Sequence, residues 1–209
     1  MHARGQAIHV DLPEVEDVDR LEYVMNRLLP EDVRIFNLTL APATEPLWHA
    51  TSAAVGKHYS YKFCTNRFVD PLRRRYTAHV YYAVDLELLN RCLQMFVGTH
   101  DFNAFANRVT KTTRDYEKKT IIFLTERTVF SVRLVNEGDG YWRIDFHLKS
   151  ALYRMVRNIV GSSLLVAAGQ MPLEHLQYLL LKAPSRLENK AGSAPPEGLT
   201  LEHVFYPDY

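Results

Sequence analysis

The sequence predicts an α+β protein, and three observations predict it. Two-residue alternation of apolar and polar side chains, as at 6–12, 53–64 and 141–149, and short runs rich in apolar and β-branched residues at 33–40, 121–125, 128–135 and 199–205 mark strands. Helical spacing recurs at 18–28, 85–97, 150–170 and 172–182. Strands and helices come in two successive blocks rather than in strict alternation, which argues for two α+β halves on antiparallel sheet, divided near residue 83 into 1–83 and 84–209.

Composition sets the bounds. With 209 residues, 47% of them hydrophobic, the chain can bury a substantial core. A formal net charge of +1 is not the balance of a generic nucleic-acid binder, so an RNA site has to come from local clusters of Arg and Lys. Cys64 and Cys92 have no metal-type spacing and set up no disulfide framework, which favours a reducing, intracellular compartment. No apolar run reaches the roughly 18 residues of a membrane span, so no membrane is expected as a partner.

Taken in order, Ile8, Val10 and Leu12 alternate with Ala7, His9 and Asp11, and Pro13 ends that strand. Val18, Leu21, Met25 and Leu28 mark an amphipathic helix closed by Pro30, and Val33 to Leu40 returns as a strand. In the next strand Lys57, Tyr59, Tyr61 and Phe63 share one face, while His58, Ser60, Lys62 and Cys64 share the other. Two readings stay open for the tyrosines: a core pair, or a stacking platform. Asn66 to Pro71 reads as a turn, and Arg73, Arg74 and Arg75 then lead a strand to Tyr82; the triplet is either a solvated edge or a phosphate contact.

Asp85 is a good N-cap for a helix that buries Leu86, Leu89, Leu93 and Phe96 and stops near Gly98. Arg108, Lys111, Arg114, Lys118 and Lys119 make 107–119 the longest basic segment, either a solvated linker or a track for an RNA backbone. Two later strands join through Gly138-Asp139-Gly140, a hairpin turn. In the helix of 150–170, Leu152, Met155, Val156, Ile159, Val160 and Ser163 recur on one side. Arg157 is the odd residue there. It is either a structural Arg whose stem lies over apolar surface, or a guanidinium that holds an anion, with Gly161 one turn on leaving room for close approach.

The short enzyme signatures are absent: the chain has no Gly-rich phosphate loop, HExxH, CxxC or GxSxG. His100-Asp101 suggests acid-base chemistry, yet no Ser or Cys nucleophile stands in a recognisable context. An RNP1-type run is also missing.

Five blocks in order carry a resemblance: His2-Ala3-Arg4-Gly5-Gln6; Lys57-His58-Tyr59-Ser60-Tyr61; Gly98-Thr99-His100-Asp101-Phe102 with Phe105; Met155 to Gly161; and Ala194-Pro195-Pro196-Glu197-Gly198-Leu199. Together they span the chain, and the sequence resembles the TruA family of tRNA pseudouridine synthases. The resemblance implies two ferredoxin-like halves whose antiparallel sheets face a basic RNA-binding cleft, a homodimer, the anticodon stem-loop of tRNA as partner, and no metal or organic cofactor. It also implies a mechanism. An Asp in a motif R-T-D-A-G-V-H-A attacks the uridine, the glycosidic bond breaks, the uracil turns, and C5 rejoins the ribose.

By motif position Arg157 is the partner of that carboxylate, holding it ionised, and Tyr59 stacks on the uracil and assists proton removal at C5. His2, Lys57, Arg73, Arg74, Arg75, Arg108, Lys111, Arg114 and Asn158 are the expected substrate contacts. His2-Ala3 matches the end of the Asp motif, which places the Asp three residues upstream of Met1 and implies that the first half is incomplete. Two functions of different class therefore follow: a tRNA uridine isomerase, and an RNA-binding relative without catalysis.

Overall fold

The computed structural model describes residues 1–12, 17–43, 47–107 and 125–207. The chain divides into two compact units, one made of 1–6 with 55–206 and the other of 7–54 with the C-terminal tail from Pro207.

The larger unit is built on one sheet. Its strands are β1 (His2–Ala3), β2 (Gly56–Cys64), β3 (Ala78–His79), β4 (Gly98–Asp101), β5 (Glu126–Gly138), β6 (Tyr141–Leu148) and β7 (Leu199–Phe205). They run in the order β1-β7-β2-β6-β5-β4, with β3 beside β2. Pairing is antiparallel except at β1/β7 and β2/β3. The α+β class is as expected. β2, which precedes residue 83, bonds along its length to β6 and β7, which follow it, so the described strands form one continuous sheet.

Register sorts the faces. Tyr59 lies opposite Phe146 and Leu201, and Tyr61 opposite Ile144 and Leu199, so these rows share the apolar face. Against it pack α2 (Leu86–Gln94), α3 (Met155–Ala167) and α4 (Leu173–Lys182) through side chains such as Leu89, Leu93, Ile159, Val160 and Leu176. Phe96, Phe102 and Phe105 meet with ring centroids 5.1–6.3 Å apart. Each such side chain contributes roughly 1.5–3 kcal/mol by leaving water. Asp85 caps α2 as the sequence indicates, accepting from Leu88 N–H at 2.9 Å. At the β5–β6 turn Gly138, Asp139 and Gly140 all have positive φ, and a Cβ on Gly140 would meet Asn66 Oδ1 at 1.9 Å, so that position needs glycine.

The smaller unit contains α1 (Val18–Leu28), capped by Asp17, which accepts from Arg20 N–H at 2.8 Å. The strands expected at 6–12 and 33–40 are not strands. A ladder needs a neighbouring chain, and at 33–40 side chains of α1 take that place. Asn26 Nδ2 donates to the Ile35 carbonyl at 2.7 Å, its Oδ1 accepts from Ile35 N–H at 2.8 Å, and Glu22 Oε2 accepts from Leu38 N–H at 2.7 Å. The strand expected from Arg73 to Tyr82 is reduced to Ala78–His79, because Asp70 folds 70–76 into turns through its carbonyl and carboxylate.

Candidate active site

Arg157 sits on the first turn of α3. Arg154 starts that helix in the left-handed region, φ 63°, with no side-chain cap, and Arg157 follows half-buried. Its Nε donates to the Ala194 carbonyl at 2.6 Å, while Ala194 N–H donates to the Arg157 carbonyl at 3.0 Å. This reciprocal pair fixes both ends of the residue to the 189–199 segment. The room that Gly161 leaves is filled by the same segment: a Cβ there would meet the Gly192 carbonyl oxygen at 2.2 Å. Among the described residues no carboxylate lies within ion-pair distance of Arg157, and its terminal nitrogens make no hydrogen bond. A planar fork in that state is ready for an anion.

The 189–199 segment also reaches β2. Tyr61 is fully buried and its hydroxyl donates to the Pro195 carbonyl at 3.0 Å; a Cβ on Gly198 would sit 2.8 Å from the Tyr61 ring. Burial pushes the Tyr61 phenol well above its ordinary range, Glu197 adds to the rise and Arg157 opposes it, so the three groups feel one another's charge. Tyr59, two residues back on the same face, is 8% exposed and burial raises its phenol too. A neutral phenol is therefore the form Tyr59 holds at ordinary pH. Of the two tyrosine readings, Tyr61 is core. Tyr59 is buried too, which leaves little of it for a stacked base. Lys57 shares the Tyr59 face and is half-buried.

Other expected contacts lie elsewhere. His2 is in register with Thr200 and through it with Ser60, the face opposite Tyr59; its Nε2 is 2.8 Å from the Arg75 carbonyl and its ring meets Tyr76. Arg73 is held over the Tyr141 ring at 4.5 Å and pairs with Asp70, whereas Arg74 and Arg75 stand exposed. No described contact joins this turn to Arg157. Arg108, Lys111 and Arg114 lie outside the described residues. Asn158 is a correction. It has no exposed surface, and its amide is engaged by Phe105, Asn107, Ser193 and Arg186, which leaves no group for a substrate. Sequence reasoning missed those partners because periodicity marks Asn158 only as a polar residue next to Arg157. The polar residues Asn189 and Ser193, interrupting an otherwise loop-like run, were the available signal.

Among the described residues no group of His, Cys, Asp and Glu could hold a metal ion, and no helix is long and apolar enough to cross a membrane. Among the described residues, then, an Arg fork without a counter-ion lies near the tyrosine-bearing strand β2. The sequence model of the family described as tRNA pseudouridine synthase matches residues 92–207. The chain is 34% identical over 206 residues to tRNA pseudouridine synthase A 1 of Protochlamydia amoebophila, covering 99% of this chain and 75% of that protein. It is 30% identical to tRNA pseudouridine synthase A of Latilactobacillus sakei, 99% and 77% covered, and 34% identical to tRNA pseudouridine synthase A 1 of Desulfotalea psychrophila, 99% and 78% covered. The chain belongs to the tRNA pseudouridine synthase family, in its TruA branch.

Proposed function

We propose that this chain serves a tRNA pseudouridine synthase that isomerises uridine to pseudouridine in the anticodon stem-loop. The observation that carries this is the Arg157 guanidinium, held through Nε by Ala194 with its terminal nitrogens unneutralised beside the tyrosine strand. In this reading Arg157 keeps an Asp nucleophile ionised, since a neighbouring cation favours the carboxylate. The carboxylate attacks the ribose carbon as its bond to N1 breaks; the bond from C5 to that carbon then forms as the carboxylate–ribose bond breaks and frees the Asp; the C5 proton leaves and N1 gains one, so no oxidant or cofactor enters. Tyr59 acts as a neutral phenol at the wall of the base site. Its raised pKa argues against a free phenolate as the base that removes the C5 proton.

A second reading, an RNA-binding relative without catalysis, is favoured by the lack of a carboxylate at Arg157 among the described residues. Unmodified tRNA incubated with residues 1–209 and analysed by nucleoside mass spectrometry separates them. The first reading expects no pseudouridine from 1–209 alone, turnover once a segment carrying R-T-D-A-G-V is joined before His2, and loss of that turnover in Arg157→Met. Turnover by 1–209 alone places the nucleophile elsewhere and overturns this assignment; no turnover with the added segment leaves the binder. Either form binds tRNA through phosphates, Arg74 and Arg75 among the contacts, so affinity falls steeply with salt in a filter-binding titration. A homodimer, read by light scattering, and action in a reducing compartment, where the free buried Cys64 and Cys92 stay thiols, complete the proposal.

A further inference from the structure

The Asn158 side chain spends its whole hydrogen-bonding capacity inside the protein. Nδ2 donates to the Phe105 carbonyl at 2.6 Å and to Asn107 Oδ1 at 2.8 Å; Oδ1 accepts from Ser193 Oγ at 2.5 Å and, at the long distance of 3.5 Å, from Arg186 Nη2. Two donors and two lone pairs are all an amide has. The partners come from two separate stretches of chain. Phe105 and Asn107 close the segment after β4, and Asn107 N–H also donates to the Tyr153 carbonyl at 3.0 Å, just before α3. Ser193 immediately precedes Ala194, the residue whose carbonyl takes the Arg157 Nε–H.

Arg186 belongs to the same network. It donates to the carbonyls of Asn189 and of Ala191, the latter at 2.8 Å, and burial lowers its pKa. No carboxylate pairs with it among the described residues. Asn189 in turn donates to the Ala104 carbonyl at 3.1 Å and shares hydrogen bonds with Ser162 on α3. The 189–194 segment is thus held to α3 at Ser162, at the Gly161 close approach, at Asn158 and at Arg157.

We propose that Asn158 is a positioning residue for Arg157: by bridging Asn107 and Ser193 it fixes the Ala194 carbonyl, and with it the direction of the guanidinium. This deepens the reading of Arg157 as the anion-holding group and rests on it for its functional meaning. The geometric part stands without RNA. Chemistry decides why an amide is needed. An Asp would present an acceptor to the Phe105 carbonyl and to Asn107 Oδ1, which repel it, and an aliphatic residue would leave buried groups on both sides unpaired.

The test is the Arg157 Nε–H resonance in RNA-free protein, assigned through Arg157→Lys and followed by solvent exchange. In the wild type it is hydrogen-bonded and slow. Asn158→Asp raises its exchange about tenfold, and Asn107→Ala, far from Ala194 in sequence, raises it about threefold, in line with a loss near one hydrogen bond. Leu176→Ala, on α4, lowers global stability and leaves the Arg157 signal slow. Unchanged protection in both Asn variants overturns the proposal. So does equal loss in Leu176→Ala, which reduces Asn158 to an ordinary stability residue. If no RNA binds in any form, the functional reading of Arg157 fails while the positioning result remains legible.

Discussion

α1 and α3 are both amphipathic by sequence, and only one of them is a core helix. α3 buries Met155, Val156, Ile159, Val160, Leu164 and Val166 against the sheet and α2. α1 has an Asp cap, an acidic first turn and a basic last turn, and buries no residue at all. In residues 7–54 the one buried described residue is Ala50, while Ile8, Val10, Tyr23, Leu28, Phe36 and Leu40 are exposed by half or more. Caps and charge placement make a helix locally favourable, but most of the stability of a helix in a protein comes from packing its apolar face. The hydrogen bonds of Asn26 and Glu22 order the backbone at 35–38, while among the described residues of the smaller unit only Ala50 is buried.

That contrast can be broken or sharpened by experiment. The largest effect is expected in alkali and belongs to the sheet unit. Burial raises Tyr59 and Tyr61 above 10.0 and pushes Cys92 from 9.0 up to about 11. The unfolded chain therefore loses these protons first. The stability they contribute is fully present below about pH 9, where all three groups keep their protons in the unfolded chain too, and falls as pH rises above it. The phenolate absorbance that belongs to Tyr59 and Tyr61, isolated by difference from Tyr59→Phe and Tyr61→Phe, should appear together with loss of sheet signal in circular dichroism, while the helical signal of α1, which holds none of the three groups, shows no matching step. Phenolate at Tyr59 or Tyr61, read as the absorbance missing from Tyr59→Phe and Tyr61→Phe, forming while the sheet unit is still folded would contradict the burial.

Next in size are core truncations. Ile159→Ala should cost about 2–5 kcal/mol in urea unfolding, whereas Leu28→Ala, at a residue 82% exposed, should stay within about 0.5 kcal/mol. A Leu28→Ala loss as large as that of Ile159→Ala would mean that α1 is packed in solution. Gly161→Ala forces a Cβ against the Gly192 carbonyl, backbone that cannot swing away, and should cost about 1–3 kcal/mol while releasing the 189–194 segment to faster amide exchange. The smallest effects are at the caps. Asp85→Ala and Asp17→Ala each remove one cap, worth about 1 kcal/mol. The first should lower the melting temperature of the sheet unit. The second should reduce helical signal without moving that transition, because α1 buries none of its own residues.

The sequence by itself determined the elements whose signal is local. α2 follows from Asp85 and its leucines, the β5–β6 hairpin from Gly138-Asp139-Gly140, and the face of β2 from simple alternation, since a two-residue period leaves Tyr59 and Tyr61 no choice of side. Arg157 stands out in the sequence as a charge among aliphatic residues, and the ordered motif blocks point to the family. Tertiary structure decided whatever depends on a partner distant in the chain. The apolar run at 33–40 predicts a strand, but α1 side chains took its backbone groups. Asn158 looked like a contact for RNA until Asn107 and Ser193, 51 and 35 residues away, filled its amide. The close approach that Gly161 permits could be inferred, whereas the identity of what approaches could not. Periodicity reports which way a side chain faces, and only the packed chain supplies what it meets there.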